Sequence, residues 1–293
     1  MSIVVGIDGS EGARKAARWA ALAAARHHTS VTLIHALGYP ELYGGQVVPP
    51  PEGLKDDLRQ RGWKLLREAR TAAGSVPGVE VRTELRTDSA APVLVDASEK
   101  AELVVVGESG HNRATAVLGY SVTTAVAAHA HCPVVSVRGD GWDRPSAKDL
   151  PVVVGVDGSP LSELAVATAF READALGAEL VAIHAWGTDN TVRVFGEAAY
   201  EFEWAPLAEG ERRLLSERLA GWCEKYPDVT VRQVVAQDSP AHELAQWSRK
   251  AQLVVVGSRG RGGFTGLLLG STSQSLIHHA ACPVLIARQE NPS

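Results

Sequence analysis

The heptapeptide VVGIDGS over 4–10 returns as VVGVDGS over 153–159, and the echo continues along the chain. LIHA at 33–36 is answered by AIHA at 182–185, Asp88-Ser89 by Asp238-Ser239, LVVVG at 103–107 by the same five residues at 253–257, and Cys132-Pro133-Val134 by Cys282-Pro283-Val284. The offset is 149 residues in the early matches and 150 in the later ones. A repeat of that length is far too long for a solenoid, so the 293 residues are expected to form two tandem copies of one domain. The first copy covers 1–138 and the second 152–293, and the polar, turn-rich stretch 139–151 between them reads as a linker.

Within each copy, strand and helix patterns alternate. In the first, a strand over 3–7 leads through a Gly9-Ser10 turn, with Ser10 as N-cap, into a helix over 12–26 whose apolar face carries Ala16, Trp19, Ala20 and Ala23. A strand over 31–36, a loop over 37–53 and a helix over 54–73 follow, then a strand over 79–85, a helix over 92–101 and a strand over 103–107. A glycine turn, a helix over 121–130 and a strand over 134–137 close the copy, and the second repeats the series from 152 to 288. This order predicts an α/β fold, two tandem doubly wound open parallel sheets with right-handed crossovers. The tryptophans, most of them on helical segments, are expected in the core or at domain contacts.

Composition narrows the chemistry. With a formal charge of −5 and lysine and arginine scattered among acidic residues, no nucleic-acid partner is expected. No apolar run approaches the ~20 residues of a membrane span, and the N-terminus enters a strand without a signal-peptide pattern, so the expectation is a cytoplasmic chain with no membrane partner. The 3 cysteines form no CxxC pair and no disulfide set, and Cys132 and Cys282, each just before a proline, read as small buried residues. The histidines lack a metal-binding spacing, so no metal site is expected.

The chemistry concentrates in LVVVGSRGRGGFTGLLLGSTS over 253–273. The run 253–256 is β-branched and apolar on both faces, as in a strand covered on both sides. Six glycines in the segment let the backbone turn sharply and come close to a ligand, and Ser271, Thr272 and Ser273 are placed to cap the next helix. Bare amides before a helix start favour anions. The segment is not a Walker loop, since no Lys-Ser or Lys-Thr follows the glycines. Nor is it a dinucleotide fingerprint, because the third glycine and the later acidic residue are missing.

The spacing Gly257-x2-Gly260-x9-Gly270-Ser271 resembles the ATP-binding signature of the universal stress protein family, and the likeness extends over nearly the whole chain. The resemblance implies the adenine nucleotide alpha hydrolase-like fold, with ATP as ligand and Mg²⁺ travelling with it. It places phosphates at Gly257, Gly260, Gly270, Ser271, Thr272 and Ser273, with Ser258 and Arg259 inside the turn, where Arg259 either pairs with a phosphate or stays solvated. It places the base and ribose end at Asp157, in the turn Gly155, Asp157, Gly158, Ser159, and at the backbone of Ala185. Their counterparts in the first copy are Gly6, Asp8, Gly9 and Ala36. Either aspartate could equally serve only to cap its turn.

The first copy departs from the signature. It reads Gly107-x2-Gly110-x8-Gly119-Tyr120-Ser121, with Glu108 where the second copy has Ser258, so weaker nucleotide binding is expected there. Phosphoryl-transfer machinery is visible only in fragments, which favours a nucleotide-responsive regulator with at most slow ATP hydrolysis over a rapid enzyme. A flavin- or adenine-binding protein and a nucleotide-free assembly protein are the alternatives. The short apolar strands over 134–137 and 284–287 suit pairing of the copies as an intrachain pseudo-dimer, and further homo-oligomerisation.

Overall fold

The computed structural model describes residues 1–38, 53–108, 121–186, 205–261 and 268–288. The chain divides into two compact units, met here as Met1–Arg138 and Gly139–Arg288.

In the first unit the elements run β1 (Ser2–Gly6), α1 (Glu11–His27), β2 (Ser30–Ala36), α2 (Leu54–Ala73), β3 (Val81–Arg86), α3 (Ala90–Ser98), β4 (Ala101–Gly107), α4 (Val122–His129) and β5 (Val134–Val137). Every pairing is parallel and the strand order is β3-β2-β1-β4-β5. The chain therefore leaves β1 in one direction for β2 and β3 and returns to its other side for β4 and β5. That reversal opens a crevice beyond the carboxyl ends of β1 and β4, the usual ligand position in such sheets. Helices α1 and α2 pack as one pair and α3 and α4 as another, and β1 and β4 are buried on both faces. The seam of α1 is almost all alanine: Ala13, Ala16, Ala17, Ala20, Ala21, Ala23 and Ala24 are buried.

The second unit repeats the plan with β6 (Val152–Gly155), α5 (Pro160–Leu176), β7 (Leu180–Ala185), α6 (Ala205–Lys225), β8 (Val231–Ala236), α7 (Pro240–Trp247), β9 (Leu253–Gly257), α8 (Ser271–His279) and β10 (Val284–Ala287). Its order is β8-β7-β6-β9-β10, again all parallel. Larger side chains enter the α5 seam, and Phe170, fully buried, stacks on Trp222 and Tyr226 of or beside α6.

Several boundaries differ from the sequence expectation. The helix predicted over 92–101 begins at Ala90, because Ser89 takes the N-cap position and Pro92 is tolerated in the first turn. It ends at Ser98, whose hydroxyl accepts the amide of His131 (2.8 Å), and Ala101 passes into β4 opposite Ser2. The strand expected over 79–85 starts two residues later. The stretch read as a linker holds two 3-10 turns, Gly141–Asp143 and Pro145–Asp149, with Trp142 Nε1 donating to Gly139 O (3.1 Å). Trp19 and Trp247 are buried as expected, whereas Trp63 is 39% exposed. Cys132 and Cys282 are buried free thiols, and burial pushes the Cys282 thiol far up. No helix among the described residues is long and apolar enough to cross a membrane.

Candidate functional site

The turn after each first strand is built the same way. Asp8 Oδ1 accepts the amide of Ser10 (2.8 Å), Gly9 takes φ 86°, and Ser10 Oγ caps α1 by accepting from Ala13 N (3.0 Å). In the second unit Asp157 Oδ1 accepts from Ser159 N (2.9 Å), Gly158 takes φ 75°, and Ser159 Oγ accepts from Ser162 N (3.2 Å). A positive φ is cheap only for glycine, which explains its presence in both turns. One carboxylate oxygen of each aspartate is thus spent on the turn.

The second strands contribute a histidine that sequence reasoning passed over. His35 Nδ1 lies 2.6 Å from Ile7 O, and His184 Nδ1 lies 2.7 Å from Val156 O. A carbonyl can only accept, so each Nδ1 carries a proton. Ile7 N donates to Ile34 O, and a regular parallel ladder would next carry Ala36 N to Ile7 O. The histidine occupies that carbonyl at the end of the ladder, beside Ala36 in one unit and Ala185 in the other. The signal was present in the sequence, as a His-Ala pair recurring at the repeat offset. On its far side His184 Nε2 lies 3.0 Å from Glu211 Oε2, a buried oxygen outside hydrogen-bond alignment, while Gly62 of α2 packs flush against His35.

In the second unit the described start of the glycine turn, 257–261, folds back on this crevice. Gly270 N donates to Ser258 O (2.8 Å), which brings the turn against the start of α8. Arg261 N donates to Asp157 Oδ2 (2.9 Å), and a Cβ on Gly260 would stand 2.3 Å from that same oxygen, so only glycine permits the approach. The Arg261 guanidinium lies over Gly158, and the gap left beside Asp157, His184 and Arg261 is about 10 Å³. Arg259 is exposed and Ser258 buried.

The helix start corrects the expected capping. Gly270, not a hydroxyl residue, is the N-cap of α8, with no side-chain cap; Ser271, Thr272 and Ser273 form its first turn. Ser273 Oγ donates instead to Gly257 O (2.7 Å). The first-turn amides of α8 are therefore not taken up by a side-chain cap of its own.

The first unit differs at the same place. Ser121 caps α4, its Oγ accepting from Thr124 N (3.3 Å). The exit of β4 is pressed onto α1: a Cβ on Gly107 would stand 2.2 Å from Gly12 backbone, against 2.9 Å between Gly257 and Leu161 O. Glu108 points away to Arg138 (2.9 Å). Gly110 and Gly119 lie outside the described residues. A cavity of about 160 Å³ opens at the crevice, lined by Gly6, Ile7, Asp8, Ile34, His35, Ala36 and, from α3 and α4, Val93 and Val122.

Two residues beyond β8, Asp238 is held below the usual carboxylate range by the hydrogen bond from His242 (2.5 Å) and then by the Ser239 amide. Ser239 Oγ caps α7 by accepting from His242 N (3.2 Å). No group of three or more metal-ligating side chains occurs among the described residues.

The model of the universal stress protein family matches 1–138 and again 150–288. The chain belongs to this family. Both halves are universal stress domains, and tandem relatives are similar over almost their full length. Universal stress protein Rv2005c of Mycobacterium tuberculosis is 40% identical over 297 residues, covering 98% of this chain and 97% of the relative. Universal stress protein Rv2623 of the same organism is 41% identical over 293 residues, covering 99% and 97%. The crystal structure of a universal stress protein from Archaeoglobus fulgidus shares the fold, with a TM-score of 0.74 at 18% identity over 98% of this chain and 96% of that one.

Proposed function

We propose that this universal stress protein binds ATP at the crevice of its second unit and acts as a nucleotide-responsive regulator of stress or growth arrest, with at most slow hydrolysis. The observation that carries the reading is the start of α8: a glycine N-cap without a side-chain cap, set directly behind the Gly257–Gly260 turn. A helix start of that kind favours a polyanion through its free amides and its dipole. The phosphates would lie on Gly257, Ser258, Gly260, Gly270, Ser271, Thr272 and Ser273, with Arg259 at the edge. The base and ribose would lie toward Gly155, Asp157, Gly158, Ser159 and Ala185. The amide of Arg261, now on Asp157, would be released as the nucleotide enters.

Mg²⁺ would arrive with the triphosphate and supply charge neutralisation there. A cytoplasmic setting and self-association of chains belong to the same reading. Mass spectrometry of nucleotide released from denatured protein tests it: ATP at about one per chain, with slow phosphate release, is the expected result. Protein that neither carries nor takes up adenine nucleotide would refute it.

A further inference from the structure

We propose that β3 is a self-association surface on which a second copy of this chain pairs, β3 against β3 and antiparallel. The inference gives the self-association included above a definite surface, and it stands apart from nucleotide binding.

β3 is the outermost strand of the first unit's sheet, packed by β2 and α2. Its bonds to β2 decide which backbone groups are left over. Val31 N donates to Glu80 O and Leu37 N to Arg86 O, both at 2.9 Å, so the even-numbered residues turn their amides and carbonyls toward β2. Val81, Thr83 and Leu85 turn theirs outward, to an edge of the kind that recruits another strand.

The side chains select the register. Glu80, Arg82, Glu84 and Arg86 lie on one face and alternate in sign, Arg82 holding Glu80 (2.9 and 3.2 Å) and Arg86 holding Glu84 (2.8 and 3.1 Å). All of them are exposed. With a two-fold axis through Thr83, Thr83 faces its own copy and Val81 faces Leu85 of the second copy, each with outward backbone groups, as a hydrogen-bonded antiparallel pair requires. In that same register Arg82 faces Glu84 of the second copy and Glu80 faces Arg86, so every charged pair is of opposite sign. Moving the axis to Arg82 or Glu84 sets arginine on arginine and glutamate on glutamate. Moving it to Val81 or Leu85 leaves half the stripe unmatched. Charges on an edge ordinarily discourage pairing; this arrangement discourages every register except one.

The second unit's edge lacks the pattern. Thr230, Arg232, Val234 and Ala236 stand at the counterpart positions, and Arg232 is engaged by Glu179 and Trp247. The axis through Thr83 also brings both α2 helices to one face of the joined sheet, where Trp63 adds exposed apolar surface.

Sedimentation of the full chain over a range of concentrations tests the proposal, and a reversible dimer that weakens with added salt is expected. Glu84→Arg or Arg82→Glu alone should weaken it by about a hundred-fold, because like charges then meet across the axis. An equimolar mixture of those two variants should dimerise again, since each supplies the sign the other lacks. Thr83→Pro removes an outward amide and no bond to β2, so it should also give monomers. Should that variant fail to fold, the charge variants decide, their side chains being exposed. A chain monomeric throughout, a dimer indifferent to these substitutions, or charge variants that stay apart on mixing would overturn the proposal. A dimer that binds no nucleotide leaves this inference standing, whereas a monomer that binds ATP removes this inference alone.

Discussion

Ser273 Oγ donates to the carbonyl oxygen of Gly257 across 2.7 Å, tying the first turn of α8 to the last residue of β9. Ser273 is 2% exposed, so the bond is shielded from water and fixes how far the helix start stands from the glycine turn. Ser273→Ala leaves that carbonyl short of a partner and should cost about 1 kcal/mol of stability. The same variant should bind ATP more weakly than the parent, since the amides lose their fixed spacing. A urea melt and a nucleotide titration on one preparation check both.

The two strand-exit glycines should respond unequally to alanine. At Gly107 the new methyl meets Gly12 backbone at 2.2 Å, which no rotamer can relieve; at Gly257 it meets Leu161 O at 2.9 Å. Overpacking of this kind costs roughly 1–3 kcal/mol, and Gly107→Ala belongs at the upper end, Gly257→Ala at the lower. Equal shifts in denaturation midpoint would contradict the packing difference.

His184→Phe should be more damaging than its size suggests. The ring donor to Val156 O disappears and Glu211 is left facing an apolar ring, a loss of about 1–3 kcal/mol from the unpaired carbonyl alone. Proton–nitrogen correlation spectra of the parent should show a proton on Nδ1 of both His35 and His184.

Acid should reveal the Asp238–His242 pair. The Asp238 carboxyl lies below its ordinary value when folded, so in the acid range the unfolded chain binds more protons than the folded one. Its stabilising contribution is therefore complete above the ordinary carboxylate range and is lost as pH falls through the lowered folded value. His242→Ala should move the Asp238 titration, followed by carboxyl NMR shifts, back toward the ordinary range. A titration unchanged by that substitution would show that the hydrogen bond is not its cause.

The repeat and the period of its strands made the architecture legible, because buried β-branched runs such as 253–256 have few other places to go. The turns at Gly9-Ser10 and Gly158-Ser159 were legible for a similar reason, as their chemistry is local. The α8 cap was misread because a serine within the first turn and a serine at the N-cap look alike along a sequence. Only the tertiary contact with Gly257 separates them. The histidines were missed because their partner carbonyls lie 28 residues away, across a strand pairing that no local pattern encodes.

The alanine seam of α1 carries a consequence for mutational tolerance. A layer lined by methyl groups, with Trp19 its one large buried side chain, has little that can retract to admit a bigger neighbour, so enlargement among the alanines must lift the helix off its strands. The counterpart seam of α5, with Val166 and Phe170, can trade volume between positions. Random variation of the two seams should therefore leave far fewer folded survivors from the first helix than from the second, and the earlier half of the gene product would drift more slowly.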